Sequence, residues 1–185
     1  MRINSHFGTY RGLLRLALSY WQLGLKQADI VAADARTVRR VVFVCHGNIC
    51  RSAFADHYAR QLGIDAASFG LSTSSGKPAY PGTSAIAVQM GVDLSDHLTT
   101  AAEDFVPQPG DLLLAMEVRQ LSKIAADPAL RDYPRSLLGL YTTPPLPHLH
   151  DPYKLDPAYM PICLGRIKSA VDALKVSFPG ASAGR

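Results

Sequence analysis

A short apolar run near residue 40 constrains the fold more than any other feature of this sequence. Val41–Val44, with the sequence VVFV, is mostly β-branched and has no polar side chain, which is typical of a strand buried on both faces. Directly after it, the sequence predicts a helix from Ala53 to Leu62, with Ser52 as its N-cap and Gly63 as its stop. A strand that feeds straight into a helix indicates a parallel sheet, because parallel strands need crossover connections.

The chain repeats this alternation of strand and helix. Further strands are predicted at Ala67–Leu71, Leu112–Met116 and Leu137–Tyr141, and further helices at Gly82–Met90, Val118–Ala126 and Pro157–Val176. The sequence therefore predicts an α/β fold with a four-stranded parallel sheet and helices on both faces. In such sheets, ligands bind at the carboxyl ends of the strands.

Composition divides the chain into three parts. We expect an extension over residues 1–38, one α/β domain over residues 39–178 and a flexible tail over residues 179–185. Residues 1–40 carry seven Lys or Arg against two acidic residues, whereas the other 145 carry 12 against 13, so the positive formal charge of the chain resides in its first 40 residues. Because these basic residues follow no nucleic-acid-binding motif, we expect no nucleic-acid partner.

The extension has the pattern of an amphipathic helix. Between Arg11 and Asp29 six of the polar residues are spaced by 4, 4, 3, 4 and 3, which places them on one stripe of a helix, with leucines and aromatic residues over most of the rest. Three interpretations remain open for residues 11–29: packing on this fold or on a second copy, peripheral contact with a membrane or partner, and a removable targeting segment. The uncharged stretch Leu16–Leu25 is too short to span a bilayer.

The cysteines indicate a reducing compartment. The chain has three, Cys45, Cys50 and Cys163, which is too few and too uneven for a disulfide framework. We therefore expect free thiols and a cytoplasmic location, with membrane-peripheral attachment through the extension as a variant of it. No Cys or His spacing fits zinc, and we expect no metal.

The segment that joins the first strand to its helix carries the chemistry. It reads Cys45-x5-Arg51-Ser52, and its backbone N–H groups would converge at the positive end of a helix, which favours both a thiolate and a phosphate dianion. The guanidinium of Arg51 offers a planar fork for two phosphate oxygens. Gly47 allows the backbone to approach phosphate closely, and Asn48 tolerates a left-handed conformation.

The stretch VFVCHGNICRS resembles the signature loop of the low-molecular-weight protein-tyrosine phosphatases. Similarity extends over about residues 39–178 and includes Gly91–His97, Leu114–Glu117 and the segment Asp151-Pro152-Tyr153. The resemblance implies a flavodoxin-like fold of the phosphotyrosine phosphatase I type. It also implies a hydrolase that cleaves protein phosphotyrosine without metal or cofactor, through a cysteinyl-phosphate intermediate. One departure is Ala53, where the family usually has proline.

The same resemblance assigns expected roles to individual residues. Cys45 would be the nucleophile, Arg51 the phosphate clamp and Asp151 the general acid and base. Cys50 would be able to form a reversible disulfide with the nucleophile. The expected phosphate-binding loop comprises His46, Gly47, Asn48, Ile49, Cys50 and Ser52, and the expected aromatic walls of the substrate pocket are Tyr153 and Tyr80.

Three alternative activities fit the sequence less well. An arsenate reductase of the same fold would need a second close cysteine pair, and only Cys163 is available. Protein-arginine phosphatases of the family favour threonine where this chain has Ile49, and a non-catalytic phosphate-binding module would lack the nucleophile or the acid. By resemblance to bacterial members, the expected partner is a tyrosine-phosphorylated protein, such as a tyrosine kinase of polysaccharide synthesis.

Overall fold

The fold is built on one parallel sheet, seen in a computed structural model that describes residues 3–182. The four strands are β1 (Arg40–Cys45), β2 (Ala66–Gly70), β3 (Asp111–Ala115) and β4 (Arg135–Leu137), in the order β2-β1-β3-β4. The helices are α1 (Ile3–Phe7), α2 (Tyr10–Gly24), α3 (Arg51–Gln61), α4 (Pro81–Gln89), α5 (Val118–Ala126) and α6 (Tyr159–Ser177). The predicted architecture, a four-stranded parallel sheet with helices on both faces, is confirmed.

Alternation along β1 explains why the sheet is covered on both sides. Val41 and Phe43 pack into one apolar core with side chains of α3, α4 and α6, while Val42 and Val44 pack into a second core with α5. All four side chains are fully buried. Because β1 lies between β2 and β3, its carboxyl end, where Cys45 lies, is at the centre of one edge of the sheet.

Several predicted boundaries are wrong. The fourth strand is Arg135–Leu137, and the expected strand Leu137–Tyr141 is mostly a 3-10 turn. Helix α3 begins at Arg51, so Ser52 lies inside its first turn and is not the cap. The tail was predicted to begin at Pro179, but Pro179–Ala181 form a 3-10 turn in which Ala181 is buried. The last three predicted tail residues, 183–185, lie outside the described residues.

The extension forms two helices on the domain, not the single helix suggested by residues 11–29. Helix α2 ends at Gly24, and the short α1 precedes it and packs near α6, where Arg166 lies 5.6 Å from the ring of Phe7. Thr9 caps α2 by accepting a hydrogen bond from the N–H of Gly12. Its hydroxyl also lies 3.2 Å from Nε2 of His150, so the start of α2 contacts the loop before α6.

Helix α2 is docked in the opposite sense to most surface helices. The side that faces the domain carries mostly small and polar residues, and Gly12, Leu16 and Ser19 are buried on it. The apolar side faces outward, and the exposed fractions of Leu14 and Trp21 are 63% and 58%. Among the helices of residues 3–182, none has the length and apolarity needed to cross a bilayer.

The segment after α2 continues onto the sheet. Val31 and Arg135 exchange two backbone hydrogen bonds of 2.9 Å, which places one antiparallel bridge on the outer edge of β4. The Nε of Arg135 also donates to the carbonyl of Asp29. The extension therefore covers an edge of the sheet as well as a surface of the domain.

Two glycines of α2 test how tightly the extension is docked. A Cβ at Gly12 would lie 2.1 Å from the carbonyl oxygen of Phe7 and 2.9 Å from the ring of His150, whereas a Cβ at Gly24 would meet nothing within 4 Å. We expect Gly12→Ala to lower the free energy of unfolding by about 1–3 kcal/mol through overpacking. The control Gly24→Ala should be neutral or stabilising by up to about 1 kcal/mol. Urea titration measures both, and equal stabilities would contradict this docking.

Candidate active site

The loop between β1 and α3 surrounds the sulfur of Cys45 with polar groups. Cys45 ends the central strand, and its Sγ accepts a hydrogen bond of 3.2 Å from the backbone N–H of Asn48. The hydroxyl of Ser52 lies 3.0 Å from the same sulfur. A thiolate in this position would receive two hydrogen bonds at the N-terminal end of α3, and both favour the anion.

Asn48 fixes the shape of this loop. It has the left-handed conformation that the sequence predicted, with φ of 52°, and it is completely buried. Its side-chain Nδ2 donates to the hydroxyls of Ser52 and Ser68, and its Oδ1 accepts from the N–H of Thr100. The Nε2 of His97 lies 2.7 Å from its backbone carbonyl. Because every polar group of Asn48 is paired, the loop is held in one conformation.

Gly70 is a loop-supporting residue that the sequence did not reveal. It ends β2 directly beside Cys45, and a Cβ there would lie 2.8 Å from Thr73 and 3.1 Å from Asn48. Gly47, by contrast, is not crowded, since a Cβ would meet only Ile49 at 3.6 Å. Close approach of phosphate to Gly47 therefore stays a prediction.

Arg51 is a fully buried cation whose side chain is only partly hydrogen-bonded. Its Nη1 donates to Oε1 of Glu117 at 2.6 Å and to the carbonyl of Leu149 at 2.8 Å. Nη2 forms an ion pair at 2.8 Å with Oδ2 of Asp151, but its geometry is not that of a hydrogen bond. Among residues 3–182, neither Nε nor Nη2 has a hydrogen-bond partner. Burial alone would lower the pKa of Arg51, and the two carboxylates more than offset it and raise that pKa. The site therefore keeps a charged guanidinium with two free donors, which suits an oxyanion.

Glu117 is the main partner of Arg51, and the sequence assigned it no role. It lies in the turn between β3 and α5 and is buried. Burial would raise its pKa, but Arg51 lowers it to about 2, so the carboxylate is ionised. Its Oε2 also accepts from Nε of Arg119 at 2.6 Å and lies 4.0 Å from Nη1 of Arg15 in α2. One carboxylate thus links the loop arginine to the extension.

The loop that carries Asp151 is anchored by two histidines, to which the sequence analysis assigned no role. His148 is buried, with its Nε2 3.2 Å from Nδ1 of His150. Burial lowers the pKa of both, that of His148 to about 4, so His148 is neutral at pH 7. Asp151 itself is one-third exposed and accepts a hydrogen bond from the N–H of Tyr153.

A cleft of about 330 Å³ opens over the loop. It is lined by Cys45, His46, Gly47, Ile49, Cys50, Ser72, Thr73, Lys77, Asp151 and Tyr153. Tyr153 lines this cleft, and its role as a wall for the substrate ring stays a prediction. Tyr80 is not among the residues that line the cleft. Its ring packs edge-on against that of Tyr153, with ring centres 5.0 Å apart. Lys77 is an exposed lining residue to which the sequence analysis assigned no role.

The other two thiols are buried and unpaired. Cys50 lies in the cleft wall, and burial raises its pKa to about 12. Cys163 is fully buried in α6, and burial raises its pKa to about 12 as well. Neither thiol has the thiolate character of an attacking nucleophile at neutral pH.

Comparison with known proteins identifies the family. A family model described as low molecular weight phosphotyrosine protein phosphatase matches residues 40–179. Since this is most of the chain, the protein belongs to that family. The tyrosine phosphatase AmsI of Erwinia amylovora has a similar structure, with 26% identity and a TM-score of 0.66 over 76% of this chain and 93% of that one.

Curated relatives match over a shorter segment. A probable low molecular weight protein-tyrosine-phosphatase EpsP of Ralstonia solanacearum is 34% identical over 91 residues, 48% of this chain and 63% of that protein. A glutaredoxin arsenate reductase of Synechocystis is 30% identical over 82 residues, 43% of this chain and 60% of that protein. The chain thus spans less than two thirds of the length of these curated relatives.

The neutral His148 predicts loss of stability in mild acid. Its pKa is about 4 in the fold, against an ordinary value of 6.5 for an unfolded chain. Between these values the unfolded chain binds more protons, so stability is present above about pH 6.5 and is lost as the pH falls towards 4. We expect the free energy of unfolding to fall by on the order of 2 kcal/mol between about pH 7 and 4.5. Histidine NMR shifts measure the titration directly, and a midpoint near 6.5 for His148 would contradict its burial as a neutral group.

Proposed function

We propose that this protein hydrolyses phosphotyrosine in proteins, with Cys45 as nucleophile, Arg51 as phosphate clamp and Asp151 as general acid and base. One observation carries the proposal: a fully buried guanidinium with two free donors in the same eight-residue loop as a sulfur that accepts a backbone hydrogen bond. Both features favour anions, one on the enzyme and one on the substrate. Family membership supports the same chemistry.

The reaction takes place in two steps. In the first, the thiolate of Cys45 attacks phosphorus, the bond from phosphorus to the phenolic oxygen breaks, and the carboxylic acid of Asp151 gives its proton to that oxygen. In the second, the Asp151 carboxylate takes a proton from water, which attacks phosphorus. The S–P bond then breaks, which restores the thiolate and releases inorganic phosphate.

The Arg51–Asp151 ion pair would change during this cycle. Oδ2 of Asp151 lies 2.8 Å from Nη2 of Arg51, at the end of the guanidinium whose N–H groups have no hydrogen-bond partner among the described residues. A bound phosphate would take the Nε and Nη2 donors of Arg51 and leave Asp151 beside the ester oxygen. Glu117 and the Leu149 carbonyl would continue to hold Nη1, so the arginine keeps its position while its partner changes.

Two other activities are less well supported. Arsenate reduction by a cysteine relay would need a second close cysteine pair, and Cys163, a buried thiol with a raised pKa, is the only cysteine outside the loop. Hydrolysis of phosphoarginine is opposed by Ile49, a partly buried branched apolar residue in the wall of the cleft. It would contact a flat phenol ring more favourably than a charged guanidine.

For partners, we propose a tyrosine-phosphorylated protein, and in particular a bacterial tyrosine kinase of polysaccharide synthesis. We also propose a cytoplasmic location and a peripheral contact, with a membrane or a second copy, through residues 11–29. Cys50 is proposed to form a reversible disulfide with Cys45: a peroxide oxidises the Cys45 thiolate to a sulfenic acid, and the Cys50 thiol then displaces water from that sulfur. Cys45 is the thiol oxidised first, because the raised pKa of Cys50 keeps Cys50 protonated.

Two variants test the chemistry. Cys45→Ser should reduce hydrolysis of an aryl phosphate to background. Asp151→Asn should slow it by about 10²–10⁴-fold, with the larger loss for phenols that are poorer leaving groups. Asp156→Asn is the matched control, since this exposed acid lies five residues further along the same loop. Steady-state rates in the presence of a chelator measure all three. Undiminished turnover by Cys45→Ser would refute the mechanism.

A second experiment tests the substrate class. We expect kcat/KM to be higher for a phosphotyrosine peptide than for a phosphoarginine peptide of the same sequence. Ile49→Thr should lower the ratio of kcat/KM for the phosphotyrosine peptide to kcat/KM for the phosphoarginine peptide, because it removes apolar contact with the ring. Ile49→Val should leave that ratio unchanged. A preference for phosphoarginine in the wild-type chain would replace the proposed substrate but leave the nucleophile in place.

A further inference from the structure

The outward side of α2 is an apolar surface without an occupant on this chain. We call this surface the outer face; it comprises Tyr10, Leu13, Leu14, Ala17, Leu18, Tyr20, Trp21 and Leu25, all exposed. None of them carries a charge or an amide. At 100° per residue they cover a continuous arc of the helix, opposite the buried Gly12, Leu16 and Ser19. Apolar patches of this kind on a folded domain mark contact surfaces.

We propose that the outer face lies in the interfacial layer of an anionic membrane. This proposal rests on the contact proposed above for residues 11–29, and it does not depend on the phosphatase chemistry. Helix α2 would lie parallel to the bilayer surface, with its outer face among the acyl chains. Its inner stripe, the side of the helix that contains the buried Gly12, Leu16 and Ser19, would stay docked on the domain.

Charge favours a membrane over a second copy of the chain. Helix α2 has no acidic residue, and the exposed Arg11 and Lys26 lie at the two ends of the outer face, whereas Arg15 and Arg40 of the same basic segment already lie beside Glu117 and Asp111. Pairing two outer faces would bring two such segments together, at a cost in repulsion. Anionic headgroups would instead neutralise them.

The residue types of the outer face also fit a membrane interface. Tyr10 and Trp21 combine an apolar ring with one polar atom, while Tyr20 contributes its ring and has its hydroxyl bonded to the carbonyl of Pro145. Such side chains prefer the boundary between headgroups and acyl chains. Arg11 and Lys26 have aliphatic stems long enough to keep their charges in the headgroup layer.

This orientation would place the candidate active site near the membrane surface. The inner stripe of α2 lies against the site, because Arg15 lies 4.0 Å from Glu117 and Glu117 contacts Arg51. The hydroxyl of Tyr20 donates to the carbonyl of Pro145, in the loop that leads to Asp151. The phosphoproteins that fit this arrangement are membrane-bound ones whose phosphotyrosine lies close to the bilayer.

Vesicle sedimentation of the full chain tests the proposal. We expect the protein to sediment with vesicles of phosphatidylcholine and phosphatidylglycerol and to remain in the supernatant with phosphatidylcholine alone. Added salt should weaken the binding. Trp21 is the only tryptophan of the chain and lies on the outer face, so its emission should shift to shorter wavelength only with the anionic vesicles.

Matched variants assign the binding to the outer face. The double variant Leu14→Gln, Leu18→Gln should lower the vesicle partition coefficient at least about tenfold, because two leucine side chains would no longer be inserted in the bilayer. The control is Leu98→Gln with Val176→Gln, two residues of comparable or greater exposure on other surfaces, and it should bind as the wild type does. All three proteins should hydrolyse an aryl phosphate at the same rate in solution, which shows that they are folded.

Three results would overturn the proposal. The first is an active protein that does not sediment with anionic vesicles. The second is equal binding by the outer-face variant and the wild type. The third is a dimer, detected by light scattering, that the outer-face variant dissociates while vesicles bind neither protein; the face would then belong to a second copy. A chain that binds vesicles but hydrolyses no aryl phosphate would instead refute the proposed phosphatase and leave this surface standing.

Discussion

The buried ion pair between Arg51 and Glu117 is the interaction on which the arrangement of the site depends. Taking a guanidinium out of water costs several kcal/mol, and only a well-placed partner can offset this. Glu117 meets the need at 2.6 Å, and the carbonyl of Leu149 supplies a second acceptor. The pair therefore ties the loop after β1 to the turn after β3 and to the loop before α6. These are the three segments whose relative positions phosphoryl transfer would require.

A neutral counterpart of this pair lies on the other side of the loop. Asn48 carries no charge, yet it is buried and fully hydrogen-bonded to Ser52, Ser68 and Thr100. It fixes the backbone that presents the N–H groups, whereas Glu117 fixes the cation. With both held before any substrate arrives, little reorganisation would be left for the reaction itself.

The sequence was most informative where local chemistry decides the structure. The strand β1, the loop after it and helix α3 could be predicted because a buried β-branched run, a left-handed Asn48 and the stop at Gly63 are local signals. Prediction failed where packing decides. Leu137–Tyr141 is apolar enough for a strand, but only three residues, Arg135–Leu137, pair with β3.

The site shows the same division. The positions of Cys45, Arg51 and Asp151 followed from a motif and a resemblance, and the structure brings them to one edge of the sheet. Glu117 had no signal of its own, since an acid after a strand is usually solvated and its partner lies 66 residues away. Likewise, the outward orientation of the apolar side of α2 contradicts the ordinary rule that such a side faces the core.

The bridge between Val31 and Arg135 also protects the edge of the sheet from pairing with other chains. Strand β4 ends the sheet, and an unpaired edge can recruit strands from other molecules. By donating to and accepting from Arg135, Val31 occupies the hydrogen-bonding groups of that residue on the free side. A chain trimmed to residues 40–179, the part that matches the family model, would lack Val31 and leave the edge of β4 unpaired. Low activity of such a chain could therefore arise from aggregation and not from a missing ligand.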